Sequence, residues 1–183
     1  MKKAIIIFGL IFFSMQSYAQ AGDLHFGLQG GYATYYKTPL YGLNISYDIA
    51  NPLQISLTGL MNPKFNRPGI NDSKEKWALY SANLDARLFL INMVSWATGP
   101  SLGGQYMRYS FTTIAQSGNQ LYSDDGSNLF GFNIGWHLRI NITDNLRATG
   151  GWRYTNMLRD KDGIKPDGYS LFYVSFGYAF NLF

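Results

Sequence analysis

Apolar and polar residues alternate along most of this chain with a period of two, the pattern of β-strands that have two different faces. In residues 130–142, large apolar side chains occupy every second position, with Gly, Asn, His and Arg between them. Residues 172–182, 43–49, 53–58 and 78–88 repeat this pattern. The sequence therefore predicts eight strands, at 24–36, 40–49, 53–62, 76–91, 95–111, 128–142, 146–158 and 168–183.

The predicted connections differ in length. Tight turns are expected at 50–52, 92–94 and 143–145, and longer loops at 63–75, 112–127 and 159–167. An even number of strands with short turns at one end and long loops at the other is typical of a bacterial outer-membrane barrel. Such a sheet must close, because an unpaired strand edge is costly in hydrocarbon. The predicted fold is all-β, an eight-stranded antiparallel up-and-down transmembrane β-barrel. A soluble barrel with its apolar face turned inward is the alternative.

The first residues have the pattern of a secretory signal peptide. Lys2 and Lys3 precede a ten-residue apolar run, and Ser17-Tyr18-Ala19 provides small residues at the −3 and −1 positions. We expect residues 1–19 to be a cleaved signal peptide and residues 20–183 to be the barrel. Cleavage after Ala21 and an uncleaved anchor are the alternatives, although a helical span needs about 20 apolar residues.

Composition restricts the classes of partner. Only 14% of the residues are charged, against roughly 25% in average soluble domains. The formal charge of +4 falls to about +2 without Lys2 and Lys3, which is too small a surplus to indicate nucleic-acid binding. The chain has no Cys, which excludes a disulfide framework and a thiolate metal site.

Aromatic residues, 17% of the chain, gather near predicted strand ends. We expect them to form the aromatic girdles that these barrels place at the two membrane interfaces. The residues concerned are Tyr32, Tyr35, Tyr36 and Tyr41 at the first loop, and Tyr106, Tyr109 and Phe111 at another. Ordinary sheet packing is the alternative, since aromatic residues favour strands in general.

The leader, the eight alternating segments and the ending Gly177-Tyr178-Ala179-Phe180-Asn181-Leu182-Phe183 resemble the small outer-membrane barrels of the OmpA/OmpX type. The Tyr- and Asn-rich composition is similar to that of barrels from Bacteroidota. The resemblance implies an integral protein of the outer membrane of a Gram-negative cell. It also implies a C-terminal assembly signal, here Phe180 and Phe183, read by the outer-membrane assembly machinery. The aromatic residue that such signals usually carry two positions before the end is replaced by Asn181.

The predicted inward face is polar. An eight-stranded barrel is just wide enough to be filled by its own side chains, and charges buried there must be paired. We expect a lumen network that involves Asp48, Asp85, Arg87, His137, Arg139, Arg147 and Arg153, together with Asn44, Gln54, Asn83, Gln105 and Asn133. This network is predicted to be a structural plug; a gated pore is the alternative.

Candidate chemistry is sparse. A barrel hydrolase needs a nucleophile and a base, and His25 and His137 are the only imidazoles; neither has a Ser at a suitable strand spacing. The runs Asp160-Lys161-Asp162-Gly163 and Asp124-Asp125-Gly126 lack the further oxygen donors of a calcium loop. We therefore predict no catalytic, cofactor or metal site.

The predicted loop 63–75 and its flank are rich in Lys and Arg. Lys64, Arg67, Lys74 and Lys76 stand there against Asp72 and Glu75, and they form either a solvated loop or a rim that contacts lipopolysaccharide phosphates. The expected function is non-enzymatic: a structural or accessory barrel, a subunit of a larger envelope complex, with outer-membrane lipid, lipopolysaccharide and envelope proteins as partners. A barrel enzyme acting on lipid A or peptides, or a narrow channel, is the alternative.

Overall fold

A computed structural model of the chain describes residues 22–68, 73–115, 118–158 and 168–181. The expected signal peptide and Phe183 lie outside the described residues. The described part contains nine strands: β1 Asp23–Ala33, β2 Thr38–Ala50, β3 Leu53–Pro68, β4 Lys74–Leu88, β5 Ile91–Asn92, β6 Trp96–Ile114, β7 Gln120–Asn141, β8 Leu146–Met157 and β9 Gly168–Asn181.

Eight of these strands close into an antiparallel barrel. The neighbours follow the chain from β1 to β4, continue through β6, β7, β8 and β9, and return to β1. The closing pair joins Leu24 to Phe180, and β4 pairs directly with β6. The two-residue β5 pairs with the start of β6. The predicted eight-stranded all-β barrel is confirmed, and every strand of the wall has a neighbour on both sides.

The outward positions of the wall are apolar through its middle. The alternating side chains of β7 from Phe130 to Ile140 and those of β9 from Phe172 to Phe180 are exposed, as predicted. The described residues contain no helix that is long and apolar enough to span a membrane.

The strands differ greatly in length, which corrects two of the predicted loops. β3 continues to Pro68 and β4 begins at Lys74, while β6 continues to Ile114 and β7 begins at Gln120. The segments predicted as loops 63–75 and 112–127 are therefore largely strand. Bulges between Asn62 and Phe65 and between Tyr109 and Phe111 interrupt their pairing, and polar residues obscure their alternation.

The extra length lies at one end. The connections at 51–52, 89–95 and 142–145 lie together with Asp23 and Asn181 at what we call the turn end, and the other end is the loop end. The four longest strands, β3, β4, β6 and β7, are consecutive in the barrel. They extend beyond the others as a projecting sheet, residues 61–68, 74–80, 106–114 and 120–130.

The polarity of the wall reverses where this sheet begins. In the middle of β4, Leu84 is outside and Asp85 inside; at the loop end, Lys76 is outside and Trp77 inside. Outward-facing tyrosines mark the level of the reversal: Tyr41, Tyr80, Tyr106 and Tyr154. The lumen accordingly has a polar part towards the turn end and an apolar part towards the loop end.

Candidate functional site

The lumen near the turn end contains a network of charged side chains contributed by β1, β2, β7 and β8. Asp48 is at its centre, and its Oδ2 accepts from Nη1 of Arg139 at 3.1 Å and from Nη1 of Arg147 at 3.2 Å. Arg147 also donates through Nη2 to Asp23. His25 Nε2 lies 3.1 Å from Asp48 Oδ2. All five side chains are buried, so each carboxylate is compensated by a cation within the wall.

Three members of this network have the donor types of a metal site. One ligand atom each from Asp23, His25 and Asp48 lies within 4.8 Å of the others. The Arg147 guanidinium contacts all three residues, and its Nη1 is 2.6 Å from His25 Nε2. A guanidinium therefore fills the position that a cation bound by these groups would take, and the cluster acts as an ion-pair network.

A second ion pair lies at mid-depth. Arg153 donates through Nη2 to Asp85 Oδ2, and Asn133 Nδ2 donates to Asp85 Oδ1 at 3.2 Å. Thr155 Oγ1 lies 2.7 Å from Asn133 Oδ1 and 2.8 Å from Gln105 Oε1. Asp85 and Arg153 are each 1% exposed, which makes this the most deeply buried ion pair among the described residues.

Arg87 is linked to the turn-end network through an amide. Its Nη1 donates to Gln54 Oε1 at 3.2 Å, and Gln54 Nε2 donates to Asp48 Oδ1 at 2.7 Å. The ring of Phe89, from the turn after β4, lies beneath the Arg139 guanidinium at 4.2 Å and edge-on to His137 at 4.9 Å. Apolar contacts therefore hold the charged groups in place alongside the hydrogen bonds.

The loop end of the lumen is filled by an aromatic and aliphatic cluster. Trp77 stacks on Phe111 with ring centroids 4.6 Å apart, and it contacts Phe65, Tyr109 and Tyr36. Its indole Nε1 donates to Glu75 Oε2 at 2.9 Å. Buried aliphatic side chains complete the cluster: Leu40, Leu60, Leu79, Met107, Leu129, Met157 and Leu171. We call this group the aromatic cluster.

The structure places every residue of the predicted lumen network inside the barrel and buried: Asp48, Asp85, Arg87, His137, Arg139, Arg147 and Arg153, with Asn44, Gln54, Asn83, Gln105 and Asn133. It joins Asp48 to Arg139 and Arg147, and Asp85 to Arg153. His137 belongs to neither ion-pair group and packs against Phe89.

Two members of the turn-end network were missed from sequence. Asp23 and His25 belong to the inward face of β1, which continues through Gln29 to Ala33. The alternation of Leu24, Phe26 and Leu28 with these positions carries the signal, but glycines at 27, 30 and 31 interrupt it.

Part of the predicted aromatic girdle was wrong. Tyr32 and Tyr41 face outward, whereas Tyr36, Tyr109 and Phe111 point into the lumen and belong to the aromatic cluster. The reason is the reversal of wall polarity at the loop end, which turns aromatic residues inward there. Of the predicted assembly signal, Phe180 is exposed on the outer wall.

The chain matches the family model described as the outer membrane protein beta-barrel domain over residues 5–180. It belongs to that outer-membrane barrel family. The protein is accordingly an integral protein of the outer membrane, and its apolar outer wall faces lipid.

Solved structures of outer-membrane barrels have the same fold as the chain. A major outer membrane protein from Thermus thermophilus aligns with a TM-score of 0.65 at 14% identity, over 86% of this chain and 98% of that one. The N-terminal β-barrel domain of Pseudomonas aeruginosa OprF aligns with a TM-score of 0.55 at 15% identity, over 87% and 98%. No curated protein sequence matches the chain. These similarities establish the barrel fold.

Proposed function

We propose that this barrel is a non-enzymatic structural or accessory protein of the outer membrane that serves as a subunit of a larger cell-envelope complex. One observation supports this most: large side chains fill the lumen at two depths. Arg153 is buried at mid-depth beside Asp85, and Leu79, Met107 and Tyr36 are buried towards the loop end. An interior occupied in this way leaves the outer wall and the loop end as the surfaces that meet partners.

The positions of the two imidazoles also support a non-enzymatic role. His25 contacts Asp48 and Arg147, and His137 is fully buried against Phe89. A general base has to reach its substrate within hydrogen-bond distance, and both rings are enclosed by the wall. The proposed partners are outer-membrane lipid, lipopolysaccharide and other envelope proteins, with the assembly machinery engaging Phe180 and Phe183 during insertion.

Conductance separates the structural role from a channel. The purified barrel in a planar bilayer is expected to show no unit steps. Met107→Gly combined with Leu79→Gly thins the filling at the loop end alone and is also expected to show none, because Arg153 and Asp85 still fill the lumen at mid-depth. Steps from the wild type would overturn the proposal. Heat-modifiable migration on a gel verifies that the double variant is folded.

Hydrolysis and association assays address the remaining alternatives. Incubation with lipid A and with a peptide library is expected to leave both intact, and deacylated lipid or cleaved peptide would overturn the non-enzymatic role. Crosslinking in native membranes, followed by purification of the barrel, is expected to recover a stoichiometric envelope protein. Recovery of the monomer alone would refute the subunit role.

A further inference from the structure

On the described strands, outward-facing positive charge is confined to one side of the wall, while the exposed Lys37 belongs to the turn between β1 and β2. Lys74 and Lys76 are exposed on β4, Arg108 is exposed on β6, and Lys64 is exposed on β3. The described outward positions of β1, β2, β8 and β9 carry no charged side chain. Glu75 points to the other face of β4, where it accepts from the Trp77 indole. The described charged side chains on the outer face of β3, β4 and β6 in the projecting sheet are therefore all cations, and the Arg108 guanidinium lies over Gly126 of β7.

A groove lies in the outer wall below these cations. Gly59 on β3 and Ala82 on β4 are directly paired and both face outward. Because neither has a large side chain, a hollow opens between Leu43, Met61, Tyr80 and Tyr106, which stand around it. Its volume of about 380 Å³ lies within the range of small-ligand sites, about 300–1,000 Å³.

The groove and the cations meet at the membrane boundary. Tyr80 borders the groove and is paired with Arg108 on β6, and Lys76 lies two outward positions above it. The reversal of wall polarity occurs at this tyrosine. The hydroxyl of Tyr106, on the other side of the groove, donates to Asn128 Oδ1 at 2.8 Å and fixes that ring. A lipid seated here would have its acyl chain in the groove and its headgroup beside the cations.

We propose that this wall binds a phosphorylated glycolipid of the lipid A class, with a phosphate held by Lys76 and Arg108 and an acyl chain in the Gly59–Ala82 groove. Lys and Arg pair with phosphate through charge-assisted hydrogen bonds, which suits a headgroup rich in phosphate. The inference builds on the proposed structural role and names the lipid partner of the barrel.

A second outer-wall groove provides an internal comparison. It lies across β1, β2, β8 and β9, next to Phe26, Leu146 and Phe176, and it has a volume of about 560 Å³. Both grooves are lined by uncharged residues. The difference is that the described outward positions of β1, β2, β8 and β9 carry no cation, whereas cations lie above the Gly59–Ala82 groove. Volume alone would favour this second groove, whereas charge complementarity favours the Gly59–Ala82 groove.

The proposal is tested by native mass spectrometry of the barrel purified from membranes. Binding is compared for three lipids: bisphosphorylated lipid A, the same lipid A without its phosphates, and phosphatidylglycerol. The wild type is expected to retain bisphosphorylated lipid A in preference to both others. Lys76→Gln with Arg108→Gln is expected to weaken that binding about tenfold, since each basic residue at an anionic surface contributes a several-fold effect.

Gly59→Leu tests the groove, because a Cβ added there meets no atom within 4 Å. It is expected to weaken lipid A binding several-fold. Gly150→Leu, on β8 where an added Cβ makes only ordinary contacts such as 3.7 Å to Tyr173 O, is expected to leave binding unchanged. Heat-modifiable migration checks that each variant is folded.

Equal binding of the three lipids, or unchanged binding by the Lys76/Arg108 variant, would overturn the proposal. If Gly59→Leu and Gly150→Leu weaken lipid A binding equally, the Gly59–Ala82 groove is not the acyl-chain site. None of these results bears on conductance or hydrolysis, so a failure here is distinguishable from a failure of the proposed structural role.

Discussion

The two ends of the lumen use opposite chemistry within one continuous sheet. At the turn end, Asp48 and Arg147 belong to a buried ion-pair network; at the loop end, Trp77 and Phe111 stack in an aromatic cluster. A single strand can supply both kinds of group: β4 contributes Asp85 to the mid-depth ion pair and Trp77 to the cluster. The comparison shows that whether the inward side chains of a strand are polar or apolar changes along the strand, according to what surrounds it.

The difference follows from what lies outside the wall. Where the outer face lies in the membrane, its apolar side chains contact lipid, and the inner face can hold polar groups. Where the projecting sheet rises beyond the membrane, its outer face carries Lys74 and Lys76 in water. A sheet with one solvated face needs an apolar inner face to stay together, as in soluble antiparallel proteins. The aromatic cluster is that core.

Breaking the mid-depth ion pair should have the largest effect. Asp85→Ala leaves the Arg153 guanidinium buried without its carboxylate, and such a loss costs about 3–5 kcal/mol. The free energy of unfolding, measured by urea titration of the barrel in lipid vesicles, is expected to fall by that amount.

The double variant Asp85→Leu with Arg153→Met is the control. Replacing both charges with apolar groups of similar size is often nearly neutral, so most of the lost stability should return. If the double variant is as unstable as Asp85→Ala, the loss comes from packing and the ion-pair explanation is wrong.

Removing the centre of the aromatic cluster should have the next largest effect, near the lower end of the same range. Trp77→Ala deletes the ring that stacks on Phe111 and contacts Tyr36, and large-to-small changes of this kind cost about 3 kcal/mol or more. The projecting sheet should also open locally, with faster proteolysis between β3 and β4. Trp77→Phe keeps a ring in place and should lose much less; equal losses in the two variants would argue against the cluster as a core.

Neutralising the centre of the turn-end network should have a moderate effect. Asp48→Asn weakens the contacts to Arg139 and Arg147, but Arg147 keeps Asp23, and Arg139 keeps the ring of Phe89. Hydrogen bonds to charged groups contribute about 1.5–3 kcal/mol, and we expect a loss near the lower value in the same urea titration. If Asp48→Asn loses as much stability as Asp85→Ala, then Asp23 and Phe89 do not compensate for the loss of the Asp48 charge.

The smallest effect is expected where the two parts of the lumen meet. Tyr169 belongs to the aromatic cluster, and its hydroxyl accepts from Gln105 Nε2 at 2.5 Å. Tyr169→Phe removes one buried hydrogen bond and should cost about 1 kcal/mol in the urea titration. Tyr178→Phe, on the lipid-facing wall, is the matched control and should change nothing; similar losses would show that the Gln105 contact contributes no stability.

Much of the wall could be predicted from the sequence, because lipid on one side and a narrow lumen on the other impose a strict period of two. The strand cores around Ile134 on β7 and Phe176 on β9 follow that period without interruption. The extended ends of β3 and β6 could not be predicted in this way, since bulges at Asn62 and Tyr109 break the register. How far these strands extend depends on their pairing with neighbouring strands, and that pairing cannot be inferred from the sequence of one strand.

The candidate site divides in the same way. Alternation alone was sufficient to assign Asp85 and Arg153 to the inner face, yet not to pair them, because the two residues lie 68 positions apart in the chain. The sequence does not predict His25 as a member of the network, because glycines from Gly27 onwards interrupt the alternation of β1. The position of Arg147 among Asp23, His25 and Asp48 depends on how the strands stagger around the barrel.

The sequence by itself determined the strand period, the closed barrel and a polar inner face where lipid lies outside. Only the tertiary structure decided at which level the wall changes from apolar outside and polar inside to polar outside and apolar inside. At the reversal, two apolar residues follow each other, as in Leu79-Tyr80, Tyr106-Met107 and Leu129-Phe130, one pointing inward and the other outward. In the chain this is simply a pair of neighbouring apolar residues. It acquires a meaning once the strands are aligned, because the level at which lipid gives way to water is a property of the whole barrel.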